Sequence, residues 1–304
     1  MLYWFSVNPS CSEILLLVEI GIPMLTNPAV EWISCPYCHA NDPKPWVVEN
    51  EFTAVKCNKC DLIYVNPRPS KSSVDVAVET GHHSDVPGGR NVVGRRNSRK
   101  VSTYRRVLGE LFKDVWSSKR PISWLDIGAG FGEIVEAVSS LASEGSRVQG
   151  IEPMGPKAKN AQNRGIQVRE GYLNSVKERF DFVSLIHVFS HLPDFRPFLA
   201  EIKTVLNEKG EFYLETGNIA DLRDSSDVPT ELNLPDHLIF AGEHHIVGYL
   251  EEAGFEVIEI VRVRQDTVVN LAKQVIRKIQ GRQVALVIPY TSGYRALRIR
   301  ARRP

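Results

Sequence analysis

Gly128, Gly130 and Gly132, with Glu152 twenty residues beyond the last of them, form the first constellation in this sequence with an evident chemical use. Trp124, Leu125 and Ile127 precede the glycines as a short apolar run suited to a buried parallel strand, and helical spacing follows them. Strand, glycine turn and helix in that order let backbone pass close to a ligand, because a Cβ would fill the space and some such positions need φ above zero. Residues 147–153 (R-V-Q-G-I-E-P) read as a second strand ending at Glu152. A carboxylate there can accept two hydrogen bonds from a ribose diol, at the point where a doubly wound sheet reverses direction.

The spacing separates two ligands. A dinucleotide site favours G-x-G-x-x-G, with a pyrophosphate on the helix N-terminus. Here the third glycine comes one residue early and Glu133 follows at once, which suits a ligand without phosphate, and the pattern points to S-adenosylmethionine.

The second constellation is sulfur. Cys35 and Cys38 form one C-x-x-C unit, Cys57 and Cys60 another, with 18 residues between them. Each unit presents two thiolates from a tight knuckle, and two knuckles complete the closed tetrahedral site that zinc prefers, so a structural zinc ribbon is expected. His39 reads as a bystander. Four of five cysteines so placed argue against a secreted disulfide framework and favour a reducing, cytoplasmic setting.

The stretch L-D-I-G-A-G-F-G (125–132) with I-E-P (151–153) resembles the class I S-adenosylmethionine-dependent methyltransferases. Residues 180–194 and 205–216 extend the likeness, resembling that family's fourth and fifth strands. The resemblance implies that Asp126, Gly128, Gly130 and Gly132 line the methionine part of the cofactor, that Glu152 holds the ribose and that His187 lies beside it. Glu170, in R-E-G-Y-L-N, is a poor match for the acid that often reads the adenine amine.

These residues need elements to carry them. The alternation of apolar runs with helical segments predicts an α/β fold, a doubly wound, seven-stranded, mostly parallel sheet of Rossmann-like type, behind a small N-terminal zinc ribbon. Strands are expected over 123–128, 147–152, 166–170, 180–187, 211–216, 255–263 and 296–301, the last antiparallel. A helix is expected over 99–116, with Tyr104 in its core face, and another over 267–280 whose apolar side packs on the core. The chain divides into an extension (1–30), the ribbon (31–69), a polar, glycine-punctuated linker (70–98) that holds His82 and His83, and the cofactor domain (99–304). Residues 1–23 look surplus, with Met24 an alternative start. No run is long enough to span a bilayer.

Functional side chains in such sheets stand beyond the carboxyl ends of the strands, where His187, His191, His237 and His244 are placed. Methyl transfer from a sulfonium starts from an activated donor, so the protein positions the acceptor and removes its proton, a task that suits histidine. A zinc ribbon ahead of this fold, with D-H-L-I-F (236–240) after the fifth strand, resembles bacterial sugar methyltransferases acting on nucleotide-linked deoxysugars. That likeness implies His191 and His237 as catalytic candidates and a small-molecule acceptor such as a nucleotide sugar, methylated on oxygen or carbon. Carbon-methylating members carry a further long C-terminal domain, whereas this sequence stops after the last sheet strand, so oxygen is the expected atom.

The net charge of +1 conceals an asymmetry: residues 88–106 hold seven basic residues and no acid, and residues 262–304 hold eleven against Asp266. Those segments keep an RNA methyltransferase as the rival reading. Against it, the basic stretches lack interleaved aromatics and no N-P-P-Y-like tetrad for a flipped base follows the fourth strand. A non-catalytic relative that binds the cofactor is the second rival.

Overall fold

A computed structural model describes residues 30–83, 89–222, 225, 231–264, 268–281 and 295–304. Residues 1–29 of the extension, with the alternative start at Met24, lie outside the described residues. In chain order, β1 (Val30–Glu31), β2 (Pro43–Glu49), β3 (Phe52–Cys57), β4 (Ile63–Val65) and β5 (Arg68–Pro69) form the cysteine-bearing module. The turn from β2 to β3 uses Asn50 and Glu51, both at positive φ (51° and 66°), which closes a tight antiparallel hairpin. Helix α1 (Lys71–Thr80) follows, capped by the Ser70 hydroxyl, inside the segment read as a linker. Its helical spacing is short and its polar content high, so the sequence pattern hid it. A two-stranded hairpin, β6 (His82–His83) and β7 (Arg90–Asn91), comes next.

The expected helix over 99–116 is two, α2 (Ser98–Leu111) and α3 (Lys113–Ser117), broken at Phe112. Phe112 is fully buried against Trp124 and Tyr213 rather than continuing the turn. Then β8 (Ser123–Ile127), α4 (Glu133–Ser139), β9 (Arg147–Glu152), α5 (Gly155–Gln162), β10 (Val168–Glu170), β11 (Phe180–Ile186), α6 (Phe195–Val205) and β12 (Leu206–Gly217) alternate. After β13 (Ile239–Phe240) and α7 (Glu243–Glu252), β14 (Glu256–Val263), α8 (Val268–Ile279) and β15 (Ala296–Arg302) complete the described chain.

The main sheet has seven strands in the order β10-β9-β8-β11-β12-β15-β14, all parallel except β15, which runs antiparallel between β12 and β14. The strands are apolar on both faces because helices cover both. One face packs Leu125, Val183 and Phe212 against α6 and α7, and the other packs Trp124 and Tyr213 against α2 and α4. The ribbon does not stand apart. Strand β13, from the far end of the chain, pairs with β4 and completes its four-stranded sheet.

Several arginines of the basic C-terminal segment are paired with carboxylates, two of them, Arg298 and Arg300, largely buried. Arg298 pairs with Glu215, Arg300 with Glu211 and Asp114, and Arg302 with Glu211, while Arg262 pairs with Glu243. Helix α8 departs from expectation: Val275, Ile276 and Ile279 are exposed, and Gln274 is buried. Helical spacing fixes which side chains share a face; it does not fix which way the face turns.

Candidate active site

A cavity of about 830 Å³ opens beyond the carboxyl ends of β8, β9 and β11. Asp126, Gly128, Gly130 and Glu152 line it, as do His187 and the group His191, Asp236 and His237. The three glycines differ in what they do. A Cβ on Gly130 would meet nothing within 4 Å, and its φ is +54°, so this position combines left-handed backbone with free space above it. A Cβ on Gly132 would instead press on Ile166 at 2.8 Å, and Gly132 is not among the lining residues. At φ +82° it lets α4 pack closely against the segment that carries Ile166.

Glu152 ends β9 with both carboxylate oxygens engaged: the Gly130 N–H donates to Oε2 (2.7 Å) and the Met154 N–H to Oε1 (3.1 Å). The carboxylate is thus tied to the glycine turn and still borders the cavity. Glu170 is absent from the lining residues, whereas Tyr172, Leu173 and Asn174 contribute to it.

His187 follows β11 in left-handed backbone, φ 58°. The Tyr104 hydroxyl donates to Glu215 Oε1 (3.2 Å), so its 3.1 Å contact with His187 Nε2 has the imidazole N–H donating. Burial lowers the pKa of His187, against the pull of the Glu215 carboxylate. Sequence reasoning placed Tyr104 in the core; it is buried, and it reaches the cavity as well.

His191 Nδ1 lies 2.9 Å from the Asp236 carbonyl oxygen and 3.4 Å from its carboxylate. Both partners only accept, so Nδ1 carries a proton, and in the neutral ring Nε2 is the nitrogen with the lone pair. His237 sits edge-on to His191, ring centroids 4.6 Å apart. Its pKa falls to about 4, through burial first and then the neighbouring His191, with Asp236 opposing. For Asp236, burial acts to raise the pKa, but hydrogen bonds from His191 and His83 outweigh it and hold the carboxyl well below the usual range. His83, whose Nε2 is 3.3 Å from Asp236 Oδ1, is buried. Nothing in the polar, glycine-rich stretch around it signalled that. His244 is elsewhere, against the Cys60 carbonyl and edge-on to Tyr37.

The four cysteine sulfurs converge. Cys35 and Cys60 are 3.5 Å apart, Cys38 and Cys57 also 3.5 Å, and all four lie within 4.8 Å of one another without a disulfide. Sulfurs about 2.3 Å from a zinc ion at tetrahedral corners would stand roughly 3.8 Å apart, so the donor set fits that ion. Burial pushes the Cys35 thiol up to about 11, so a thiolate there calls for a cation.

The methyltransferase domain family matches residues 97–260, more than half of the chain. The chain belongs to that methyltransferase family. A ubiquinone biosynthesis O-methyltransferase of Aeromonas salmonicida (strain A449) is 29% identical over 104 residues, 31% of this chain and 42% of that protein. The chain thus spans less than half of that relative's length. The fold is also that of the geranyl diphosphate C-methyltransferase of Streptomyces coelicolor A3(2), with a TM-score of 0.50 at 14% identity over 68% of this chain and 84% of that one. The chain thus combines a methyltransferase domain with the class I methyltransferase fold.

In this methyltransferase, Asp126 is an unusual group to bury. Burial raises its carboxyl to about 7, with the Ser184 hydrogen bond (2.6 Å) opposing and the charges of Glu152 and Glu133 adding. The folded value lies above the roughly 3.9 of an unfolded aspartate, so its stabilising contribution is complete below about pH 3.9 and is lost as pH rises through about 7. Asp126→Asn is therefore expected to stabilise the ligand-free protein at pH 8, on the order of a few kcal/mol, and to change it little near pH 4. Thermal melting at the two pH values checks this, and an equal shift at both would reject it.

Proposed function

We propose that this methyltransferase moves the methyl group of S-adenosylmethionine to an oxygen of a small hydroxyl compound, a sugar or nucleotide-linked sugar, with His191 as general base. The observation that carries the reading is the tautomer of His191: Nδ1 is held as a donor to Asp236, which leaves Nε2 as a lone pair in the cavity that Glu152 and Gly130 also line. The cofactor supplies a methyl group already activated by its sulfonium. Asp126, Gly128, Gly130 and Glu152 would hold it: Gly130 by leaving room for close approach, Glu152 by accepting from the ribose hydroxyls, Asp126 and Gly128 at the floor.

On the acceptor side, His191 takes the hydroxyl proton at Nε2 as the oxygen becomes nucleophilic, and the ionised Asp236 stabilises the imidazolium that results. His237, neutral across the working pH range, borders the same space and contributes shape and a hydrogen bond to the acceptor. Its low basicity makes it the poorer base of the two candidates. His187, with Nε2 donating to Tyr104, packs at the junction between the cofactor and acceptor halves.

Against an RNA acceptor, Arg298 and Arg300 are held internally by carboxylates and cannot track phosphates; Lys273, Arg277 and Lys278 on α8 are exposed and keep that rival in the test. Incubation with labelled cofactor and a panel of nucleotide sugars, simple sugars, phenols and transcribed RNA tests the acceptor class. Label entering RNA, or phenols alone, would reject the sugar reading.

The ribbon at 31–69 is proposed to carry one zinc, held by Cys35, Cys38, Cys57 and Cys60. Four thiolates leave no open position, so this zinc would be structural. Elemental analysis of purified protein is expected to give one zinc per chain, lost in Cys57→Ala; full retention in that variant would reject the ligand set. Four such thiolates favour a reducing, cytoplasmic setting.

A further inference from the structure

We propose that Glu49, in the cysteine-bearing module, is a positioning residue for the catalytic half of the site, acting through the loop that carries Asp236. This rests on the reading of His191 as the base. Glu49 stands at the end of β2, and its carboxylate is capped by three successive backbone amides from the far end of the chain. The Leu232 N–H donates to Oε2 (2.7 Å), and the N–H groups of Asn233 and Leu234 donate to Oε1 (2.8 and 3.1 Å). Beside it, Asn50 Nδ2 donates to the Leu234 carbonyl (2.7 Å). A carboxylate that takes several backbone N–H groups at once fixes their orientation as no single side-chain contact can.

What that loop does next links it to the chemistry. Asn233 is held at φ 67°, and its carbonyl accepts from the Asp236 N–H (3.0 Å) and the His237 N–H (3.2 Å), so the turn set by Glu49 aims both residues. The Asp236 carbonyl is the group that fixes His191 Nδ1 as a donor. A second strut comes from the β6–β7 hairpin, where His83 and Arg90 face each other across the ladder. His83 Nε2 meets Asp236, and Arg90 donates to the Asn233 side chain while its guanidinium stands 3.7 Å from Glu49. Gly130 and Glu152 take no part in these contacts: Gly130 sits in the turn between β8 and α4, and Glu152 ends β9. The module that carries the cysteines therefore aligns the base without touching the cofactor.

The test needs no acceptor. Imidazole nitrogen NMR on the full chain with S-adenosylhomocysteine reads the tautomer of His191 in wild type, Glu49→Ala and Glu49→Gln, and calorimetry reads S-adenosylhomocysteine affinity for each. The wild type is expected to show His191 protonated at Nδ1. In Glu49→Ala that preference is expected to be lost, while affinity stays within about threefold, less than 1 kcal/mol. Glu49→Gln keeps one acceptor oxygen and is expected to fall between the two. An unchanged His191 signal in Glu49→Ala overturns the proposal, and so does a loss of S-adenosylhomocysteine affinity that parallels the loss of the tautomer in both variants. A wild type without the Nδ1–H tautomer would instead overturn the assignment of His191 as base.

Discussion

Replacing His191 by alanine is expected to lower turnover by about 100- to 10,000-fold, the usual cost of losing a general base, while cofactor affinity stays nearly unchanged. The split follows from position. His191 lies in a 3-10 turn after β11, outside the glycine turn and β9 that carry Gly130 and Glu152, and its ring is held by Asp236 and edge-on to His237. His237→Ala supplies the contrast. That ring is neutral down to about pH 4, so as a base it would give turnover flat from about pH 5 upward. A limb in the ordinary imidazole range, near pH 6.5, would belong to another group. Acceptors found in the nucleotide-sugar panel provide the assay. Should His191→Ala retain turnover within about threefold of wild type, the base lies elsewhere, because loss of a base cannot be that mild.

How the site is assembled explains what the sequence disclosed. The glycine turn and Glu152 were legible because they are local: strand, turn, helix and strand lie within thirty residues, and each motif position has one conformational demand. The seven strands were legible for a similar reason, since each is an apolar run bounded by turn residues. Strand β15 was expected beside the sixth strand and antiparallel to it, and it proves to lie between β12 and β14. The knuckle spacing brought four sulfurs together, as two C-x-x-C units tend to do.

The acceptor half was only partly legible, because it is made of contacts between distant segments. His83 meets Asp236 across 153 residues, and Glu49 meets Leu234 across 185. Neither has a periodicity or a motif of its own. The only local sign of Glu49 was its place before Asn50-Glu51, a pair suited to a tight hairpin turn. Histidine counting along the strand ends included His244, which packs on the ribbon instead, and missed His83, which arrives from the hairpin. A polar, glycine-rich stretch is consistent with solvent exposure or with a cap over a site, and only tertiary packing separates the two.

Glu152→Ala is the second substitution with a large expected effect, a loss of cofactor affinity of roughly 10- to 150-fold, equivalent to about 1.5 to 3 kcal/mol for a charged hydrogen-bond acceptor. The structure adds a second reason to expect it. The same carboxylate takes the Gly130 N–H at 2.7 Å and the Met154 N–H at 3.1 Å, so its removal deprives the cofactor of a ribose partner and frees the turn over which the cofactor passes. Glu152→Gln separates those contributions. The amide keeps one acceptor oxygen for the turn and loses the charge and the second acceptor, so its loss of affinity is expected to be clearly smaller than that of the alanine variant. Neither change touches Asp236 or His191, so the imidazole tautomer read by NMR should be the same in both variants as in wild type. Calorimetry with S-adenosylhomocysteine decides the matter: unchanged affinity in Glu152→Ala, or a preference of the wild type for NAD, would show that the strand-end carboxylate does not hold the ribose of this ligand.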